Sequence, residues 1–364
     1  TKNVNSNVIK KVCVLFFLLN FVLSQDKLEL KQADSLSSKE LNSETTTILS
    51  GNIIFQKGNT FLYGNKAIQS NKNSLVKLYD DVKVDDKNKT VFCDSLFFDT
   101  EKDQIELFGS VTIKNENQLI TADKGLINNI DGKIKLLENG KLLSENQTVE
   151  GDLIEIFFKE NQIESFKVLE NGIIFSENSG YEKDVNNQNQ FIANQDILKA
   201  QVIDLKIDES DVSEIELIGM ASSFIHLYED SLYQGTNEIS GDKIILKLID
   251  NNATELVSTG GVIGQFIPSS SNTSGQEKVN YKGARVEFDT NSRSSKMYGN
   301  ANIIQTGMDL SAAQINIDWK SNILEAFENN IYNKEENLEP TLIEKGREPV
   351  SGKSMVYNLS LIHI

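Results

Sequence analysis

Histidine and cysteine are almost missing from this chain, with two of each in 364 residues. A His/Cys metal site needs more ligands than that, and acid–base or thiol chemistry loses its usual side chains. Three prolines and one tryptophan leave no Pro-rich linker. Basic residues are in short supply. The 36 Lys+Arg stand against 53 Asp+Glu, a formal charge of −17. Nucleic acid is held by neutralising phosphates with Lys and Arg, so it is excluded as a partner. No phosphate-cradling Gly-rich loop and no Gly-x-Ser-x-Gly elbow occurs. His226 and His363 lie far apart and read as ordinary strand residues. The expectation is a protein that is not an enzyme and uses no cofactor or metal.

What is present begins with a targeting pattern. Lys10 and Lys11 precede an apolar run from Val12 to Leu23, followed by Ser24, Gln25 and Asp26. A basic start, a dozen apolar residues and a small exit residue make a secretory signal over residues 1–24. The run is short of the ~20 residues of a comfortable membrane span. Cleavage after Ser24 removes Lys2, Lys10 and Lys11, taking the charge from −17 to −20, and removes Cys13. Cys93 is then the one thiol, so no intramolecular disulfide forms and stability rests on packing and backbone pairing.

Two short patterns alternate along the rest. The first reads apolar-x-Gly/Asp-x-apolar-x-apolar. It starts at Leu49, Leu78, Leu107 and Leu136, spaced 29 residues apart, then at Val168, with weaker copies near Leu217 and Gly261 and a strong one at Met297. The second reads apolar-x-small-Asp/Asn. It starts at Leu62, Val91, Ile120 and Val149, again 29 apart, and its small residue is Gly64, Cys93, Ala122 and Gly151, then Ala200, Gly241, Gly283, Ala312 and Gly352. A column that accepts only small residues predicts an inward position with no room. The segments alternate with period two and favour Val, Ile, Leu, Phe and Thr, so they are strands. Asn/Asp/Gly/Lys turns separate them, as at Lys57-Gly58-Asn59 and Asn129 to Gly132. Helix is expected nowhere after the signal except as a short piece over Ala33 to Leu41. The Asp column at Asp94, Asp123, Asp152 and Asp242 reads as strand-end or turn residues bonded to local backbone.

Three stretches break the period: Glu177 to Asp196, rich in Asn and Gln, Pro268 to Asn280, rich in Ser, and the charged Asn333 to Pro349. They read as loops. The expected organisation is a β-repeat lobe over 25–176, an Asn/Gln-rich insert over 177–196, and a second lobe over 197–364. That second lobe carries inserts at 268–280 and 333–349, and its last repeat reads as cut short.

The alternation collects apolar side chains on one face. Leu49, Ile53, Phe55, Leu78, Val82, Val84, Leu107, Val111 and Ile113 share that face, and Leu62, Val91, Ile120 and Val149 are expected to face them from companion strands. Met297 and Ile303 repeat the arrangement late in the chain. Two such faces folded together give a filled core or a V-shaped groove with an apolar lining. In an open groove, Phe55→Asp or Val111→Asp abolishes lipid binding and leaves the strands intact.

The strand Leu49-Ser-Gly51-Asn-Ile53-Ile-Phe55 and the companion Ile120-Thr-Ala122-Asp123 resemble the OstA-like (LptA) family of lipopolysaccharide-transport proteins. Met297 to Ile303 and the lead-in Asp26 to Asp34 resemble it too. The resemblance implies an all-β, OstA-like β-jellyroll of folded, V-shaped antiparallel sheets. It implies a periplasmic protein of a Gram-negative envelope that shields the acyl chains of lipid A in its groove during transport from inner to outer membrane. The partners it implies are lipopolysaccharide, an inner-membrane-anchored periplasmic component, an outer-membrane translocon, and further copies stacked head to tail. The strong negative charge departs from this picture, since it repels lipopolysaccharide phosphates. The rival readings are a parallel β-helix, acting as a surface adhesin or a polysaccharide-binding protein or lyase, and a plain scaffold with a filled core. Turn signals every 14 or 15 residues favour two long strands per repeat over the three short strands of a β-helix coil.

Overall fold

The structure is a computed structural model. It describes residues 27–358 except 42–43, 71–73, 87–88, 116–117, 160–161, 185–187, 209–210, 250–251, 270–277 and 334–336. The expected signal segment, His363 and most of the Ser-rich stretch lie outside the described residues. The chain is all-β. Its strands are β1 (Glu29–Gln32), β2 (Ser35–Leu41), β3 (Glu44–Lys57), β4 (Thr60–Ser70), β5 (Leu75–Asp86), β6 (Lys89–Asp99), β7 (Gln104–Lys114), β8 (Leu119–Asn128), β9 (Lys133–Leu143), β10 (Gln147–Lys159) and β11 (Gln162–Lys183). They continue as β12 (Asn189–Asp208), β13 (Asp211–Glu229), β14 (Leu232–Ile249), β15 (Asn252–Pro268), β16 (Val279–Asp289), β17 (Ser294–Gln305), β18 (Met308–Asp318), β19 (Ile323–Phe327), β20 (Thr341–Glu344), β21 (Val350–Ser351) and β22 (Ser354–Asn358). From β3 to β10 and from β13 to β18, each strand pairs antiparallel with the next. This meander excludes the parallel coil of a β-helix. The chain divides into two compact units: the first ends at Gly172, within β11, and also takes in Ile207 and Asp208, and the second holds Ile173–Lys206 and the chain from Asp211 on.

One device recurs in both units. Midway along every odd-numbered strand from β3 to β17, two consecutive residues have positive φ: Gly51-Asn52, Asp80-Asp81, Gly109-Ser110, Glu138-Asn139, Glu170-Asn171, Gly219-Met220, Gly260-Gly261 and Gly299-Asn300. The register shifts at these points. Ser50 pairs with Lys66 and Ile53 with Gly64, so two residues of β3 oppose the single Asn65 of β4. The same extra residue recurs at Phe108/Val111 and at Tyr298/Ala301. An extra left-handed residue in one strand of a pair bends that strand and raises its twist. Glycine, Asn and Asp tolerate that conformation, and this explains the first sequence pattern.

The second pattern supplies the partner strands. Opposite each bend sits a small residue pressed against the next strand. A Cβ on Gly151 would lie 2.2 Å from Val168 Cγ1, and one on Gly64 3.0 Å from Leu78 Cδ2. The Asp column follows the small residue. These Asp residues therefore sit mid-strand, beside the bend, rather than at strand ends or turns as expected. Their carboxylates reach across to the neighbouring strand. Asn139 Nδ2 donates to Asp123 Oδ2 at 2.8 Å and Asn171 Nδ2 to Asp152 Oδ2 at 2.7 Å; outside the column, Asp34, between β1 and β2, accepts from Asn52 Nδ2 at 2.9 Å in the same way.

Two local expectations are corrected. The short helix expected over Ala33 to Leu41 is the strand β2, paired with Glu44 to Ser50 of β3, so tertiary pairing outweighs a weak local signal. Residues 177–183 and 189–196 are also strand, extending β11 and opening β12, where a loop was expected. Their inward positions carry polar residues such as Asn178 and Asp196, which hides the apolar alternation that marks a strand.

Candidate functional site

In the first unit the bend line divides each strand into two halves, and the halves form two layers. Layer one holds 44–50 of β3, 75–79 of β5 and 95–99 of β6. Layer two holds 53–57, 82–86 and 89–93 of the same strands. Apolar residues align in unbroken cross-strand rows. In layer two, Phe55 pairs with Leu62, Leu62 with Val84, Val84 with Val91, Val91 with Ile113, Ile113 with Ile120, Ile120 with Leu142 and Leu142 with Val149. In layer one, Leu49, Ala67, Leu78, Leu96 and Leu107 continue through Gly125 to Leu136 and Ile154. The companions Leu62, Val91, Ile120 and Val149 thus lie beside Phe55, Val84 and Ile113 in one row, not across from them as expected. Hairpin partners are neighbours in a sheet by construction. What lies across is the other half of the same strands.

The two layers touch at their margins. Lys57, ending layer two of β3, places its Nζ 2.9 Å from Asp103 Oδ1 and 4.9 Å from the centre of the Phe98 ring. Phe98 and Asp103 belong to layer one and its β6–β7 turn. Each of the fifteen residues expected to line a groove is 0–5 % exposed: Leu49, Ile53, Phe55, Leu62, Leu78, Val82, Val84, Val91, Leu107, Val111, Ile113, Ile120, Val149, Met297 and Ile303. Protein atoms cover them all. At the layer-two margin the row after Phe55 and Val91 turns polar, with Lys57, Thr60, Lys89 and Gln147 all buried. Burial holds Lys89 down at about 8, with Asp86 opposing the shift. Burial also pushes the Cys93 thiol up to about 12, so it stays protonated and inert as a nucleophile.

The second unit repeats the bend from β13 to β18. Met297 of one layer pairs with Val286 and Ile315; Ile303 of the other pairs with Tyr281 and Leu310. Tyr281 is an interior plug. A Cβ on Gly264 would fall 2.2 Å from its ring, its hydroxyl donates to Asn237 Oδ1 at 2.8 Å, and its ring meets the Phe288 ring edge-on at 5.7 Å. Sequence reasoning also missed a polar cluster here. His226 Nδ1 lies 2.8 Å from Asp196 Oδ1, the His226 backbone N–H donates to the same oxygen at 2.8 Å, and Asn178 Nδ2 donates to Asp196 Oδ2 at 3.1 Å. All three residues are buried. His226 and Asp196 are 30 residues apart, and no local spacing joins them. Among the described residues, no group of three His, Cys, Asp or Glu side chains is placed to hold a metal.

Residues 25–167 match the family described as OstA-like protein. The matched stretch contains β1 to β10 and every expected lining residue except Met297 and Ile303. Among solved structures the chain is similar to LptH of Pseudomonas aeruginosa, the LptA homologous periplasmic component of the conserved lipopolysaccharide transport device. The identity is 15%, over 29% of this chain and 78% of that one, with a TM-score of 0.25. No curated protein matches the sequence.

Proposed function

We propose that this chain is a periplasmic lipopolysaccharide-binding bridge protein that shields lipid A acyl chains between its two layers during transport from inner to outer membrane. The observation that carries the reading is the interior of the OstA-like stretch. Apolar rows run unbroken across eight strands, and the same bend, repeated in every second strand, holds two of them face to face. Such an interior is continuous in the direction across the strands, which is the direction a chain of like modules extends. Its lining is covered, so acyl chains enter where the layers part along the margin tied by Lys57 and Asp103.

The partners on this reading are lipopolysaccharide, an inner-membrane-anchored periplasmic component and an outer-membrane translocon. On this reading the basic and then apolar stretch before Ser24 serves as the export signal. Head-to-tail association has a candidate edge at the amino end. Among the described residues β1 and β2 each pair with β3 alone, and Leu30 and Leu36 of these strands are exposed. A bare edge is a hazard unless another strand pairs with it.

The test is photocrosslinking in cells that make lipopolysaccharide. p-Benzoylphenylalanine at Phe55 or Val111 should capture lipopolysaccharide, and the same residue at the outward position Thr112 should not. Equal capture from Thr112, or none from either interior position, would refute the reading.

A further inference from the structure

A sheet with water on one face alternates apolar-in and polar-out. Layer one of the first unit departs from that rule. Beside the inward Leu96 and Phe98 stands the outward Phe97, beside Leu107 stands Phe108, and beside Leu136 stands Leu137. Strands that are apolar on both faces belong to sheets covered on both. The outward face has an aromatic centre. The Tyr79 and Phe97 rings meet edge-on at 5.7 Å, and Phe97 meets Phe108 at 5.0 Å. Leu126, Leu137 and Leu153 continue the face, and all six side chains are half-buried. In the second unit the outward positions of β14 and β16 are mainly charged, with Lys243, Lys247, Arg285, Glu287 and Asp289.

Two charges flank the aromatic centre. One outward row runs Ile68, Lys77, Phe97, Glu106 and Leu126 across β4 to β8. Lys77 Nζ stands 4.6 Å from the centre of the Phe97 ring, and Glu106 Oε1 accepts from Gln104 Nε2 at 3.2 Å. Among the described residues neither Lys77 nor Glu106 takes part in an ion pair. Towards β10 the charges of the face are paired: Lys124 with Glu138 at 2.6 Å, and Lys133 and Lys135 with Glu155 at 3.1 and 2.6 Å. The centre of the face thus holds a cation and an anion without ionic partners, one on each side of Phe97.

We propose that this face pairs with the same face of a second copy, about a two-fold axis running along β6. The axis sets Phe97 on the partner's Phe97, Tyr79 on the partner's Phe108, Ile68 on the partner's Leu126, and Lys77 on the partner's Glu106. Each charge that has no ionic partner in one chain meets its opposite, and the symmetry makes the pair twice. An axis laid across the strands would set Lys77 on the partner's Lys77, so charge selects the first arrangement. Lys66 then lies opposite the partner's Lys124, which one chain already neutralises with Glu138. The area suffices. Half-strands of about five residues at ~3.4 Å, over eight strands ~4.8 Å apart, cover roughly 650 Å² per copy. Two copies bury about 1,300 Å², inside the range of a specific dimer. Each chain carries −17, but charges more than ~8 Å from the contact are screened at physiological salt. Such an isologous contact closes at two copies, whereas edge-to-edge pairing continues indefinitely. The inference concerns the outside of the layer and stands apart from the proposed function.

The experiment uses the full chain carrying Cys13→Ser, so that the remaining native thiol is the buried Cys93. Ser95 lies on β6 beside Tyr79 and Phe108, and the axis brings it near the partner's Ser95. Ser95→Cys, treated with a short bis-maleimide because stacked sheets lie ~10 Å apart, should give a covalent dimer on a denaturing gel. Thr112→Cys, outward in layer two, should not. In the Ser95→Cys chain, Lys77→Glu or Glu106→Lys should each lower the dimer yield about tenfold, and Lys77→Glu/Glu106→Lys together should restore it. Recovery in the double variant separates the contact from misfolding, which a second charge reversal would worsen. No dimer from Ser95→Cys, equal dimer from Thr112→Cys, a yield that ignores the single reversals, or no recovery in the double variant would overturn the inference. A Ser95→Cys chain that stays single yet sediments with phosphatidylglycerol vesicles would give the face to an anionic membrane and overturn it too. Each of these results leaves the proposed function standing.

Discussion

Gly109→Ala tests the bend on which the two-layer arrangement depends. Gly109 has φ +74°, and a Cβ there would lie 2.0 Å from Asp94 Oδ2, 2.6 Å from Asp94 Cγ and 2.9 Å from Asp94 Cβ. Two costs follow. The left-handed conformation costs an alanine about 1–2 kcal/mol. The overlap forces Asp94 or the backbone to move, which costs about 1–3 kcal/mol in a packed site. The single substitution should therefore destabilise by about 3 kcal/mol. In an Asp94→Gly background the overlap is gone, and the same substitution should cost about 1.5 kcal/mol. The coupling between the two sites is then about 1.5 kcal/mol, within reach of a double-mutant cycle. Gly307, at φ +82° with nothing within 4 Å of its Cβ direction, is the control and should cost only the backbone share. Urea unfolding at constant slope measures all four variants. The reasoning is refuted if Gly109→Ala costs no more than Gly307→Ala, or if its cost is the same with and without Asp94.

Three further outcomes follow from burial. Tyr281→Ala should cost about 3–5 kcal/mol by leaving a cavity between the layers of the second unit, whereas Tyr281→Phe should cost about 1 kcal/mol for the bond to Asn237; similar values for the two would show that the ring is not the plug. Lys89→Met should stabilise the protein at pH 7 by about 2 kcal/mol. The folded value of Lys89, about 8, lies below its ordinary 10.5, so the unfolded chain holds more protons between them. The penalty is therefore complete below about pH 8 and fades towards pH 10.5, and an equal gain at pH 7 and pH 10.5 would sink the assignment. Phe55→Asp should unfold the first unit, losing strand signal in circular dichroism, because an unpaired carboxylate replaces a side chain that is 2 % exposed; a folded variant would mean that the interior at Phe55 is open to water.

Period-two alternation and the 29-residue spacing made the strands, most turns and the inward faces legible, because both are properties of a single strand and its nearest turn. The same alternation is silent about which layer a residue occupies. In β6 the buried positions run Lys89, Val91, Cys93 and then Leu96, Phe98, a change of parity at the bend that period two does not anticipate. That is why Leu62 and Val91 were expected across from Phe55 and Val84 and are found beside them. The Asp–Asn links of the column escaped notice because they join residues 16 and 19 apart on neighbouring strands, and an Asp after a small residue looks the same in a turn. In β11 and β12 the inward positions turn polar, so the strands there read as loop, and the Asp196–His226 pair within them had no local signature.

The covered lining sets the energetics of loading. On the proposed reading, parting the layers exposes apolar rows to water, and an acyl chain then covers them again. At ~0.8 kcal/mol per methylene, a chain of about twelve carbons returns on the order of 10 kcal/mol. Hydrocarbon replaces hydrocarbon, so the rows themselves leave loaded and unloaded forms nearly balanced. What tips the balance is the margin. The contact of Lys57 with Asp103 and Phe98 is made in the closed form and must break for entry. Breaking one partly buried ion pair is a cost of a few kcal/mol, small against the acyl chain's return and large enough to hold the interior shut without it. Lys57→Met removes the charge while keeping much of the stem over Phe98. It leaves Asp103 unpaired at the margin, where water can reach it as the lysine never could, and so it should speed probe entry more than it changes the affinity. Stopped-flow binding of a fluorescent fatty acid separates the two quantities. An unchanged association rate would mean that the layers do not part at this margin and that acyl chains reach the interior from the ends of the sheet.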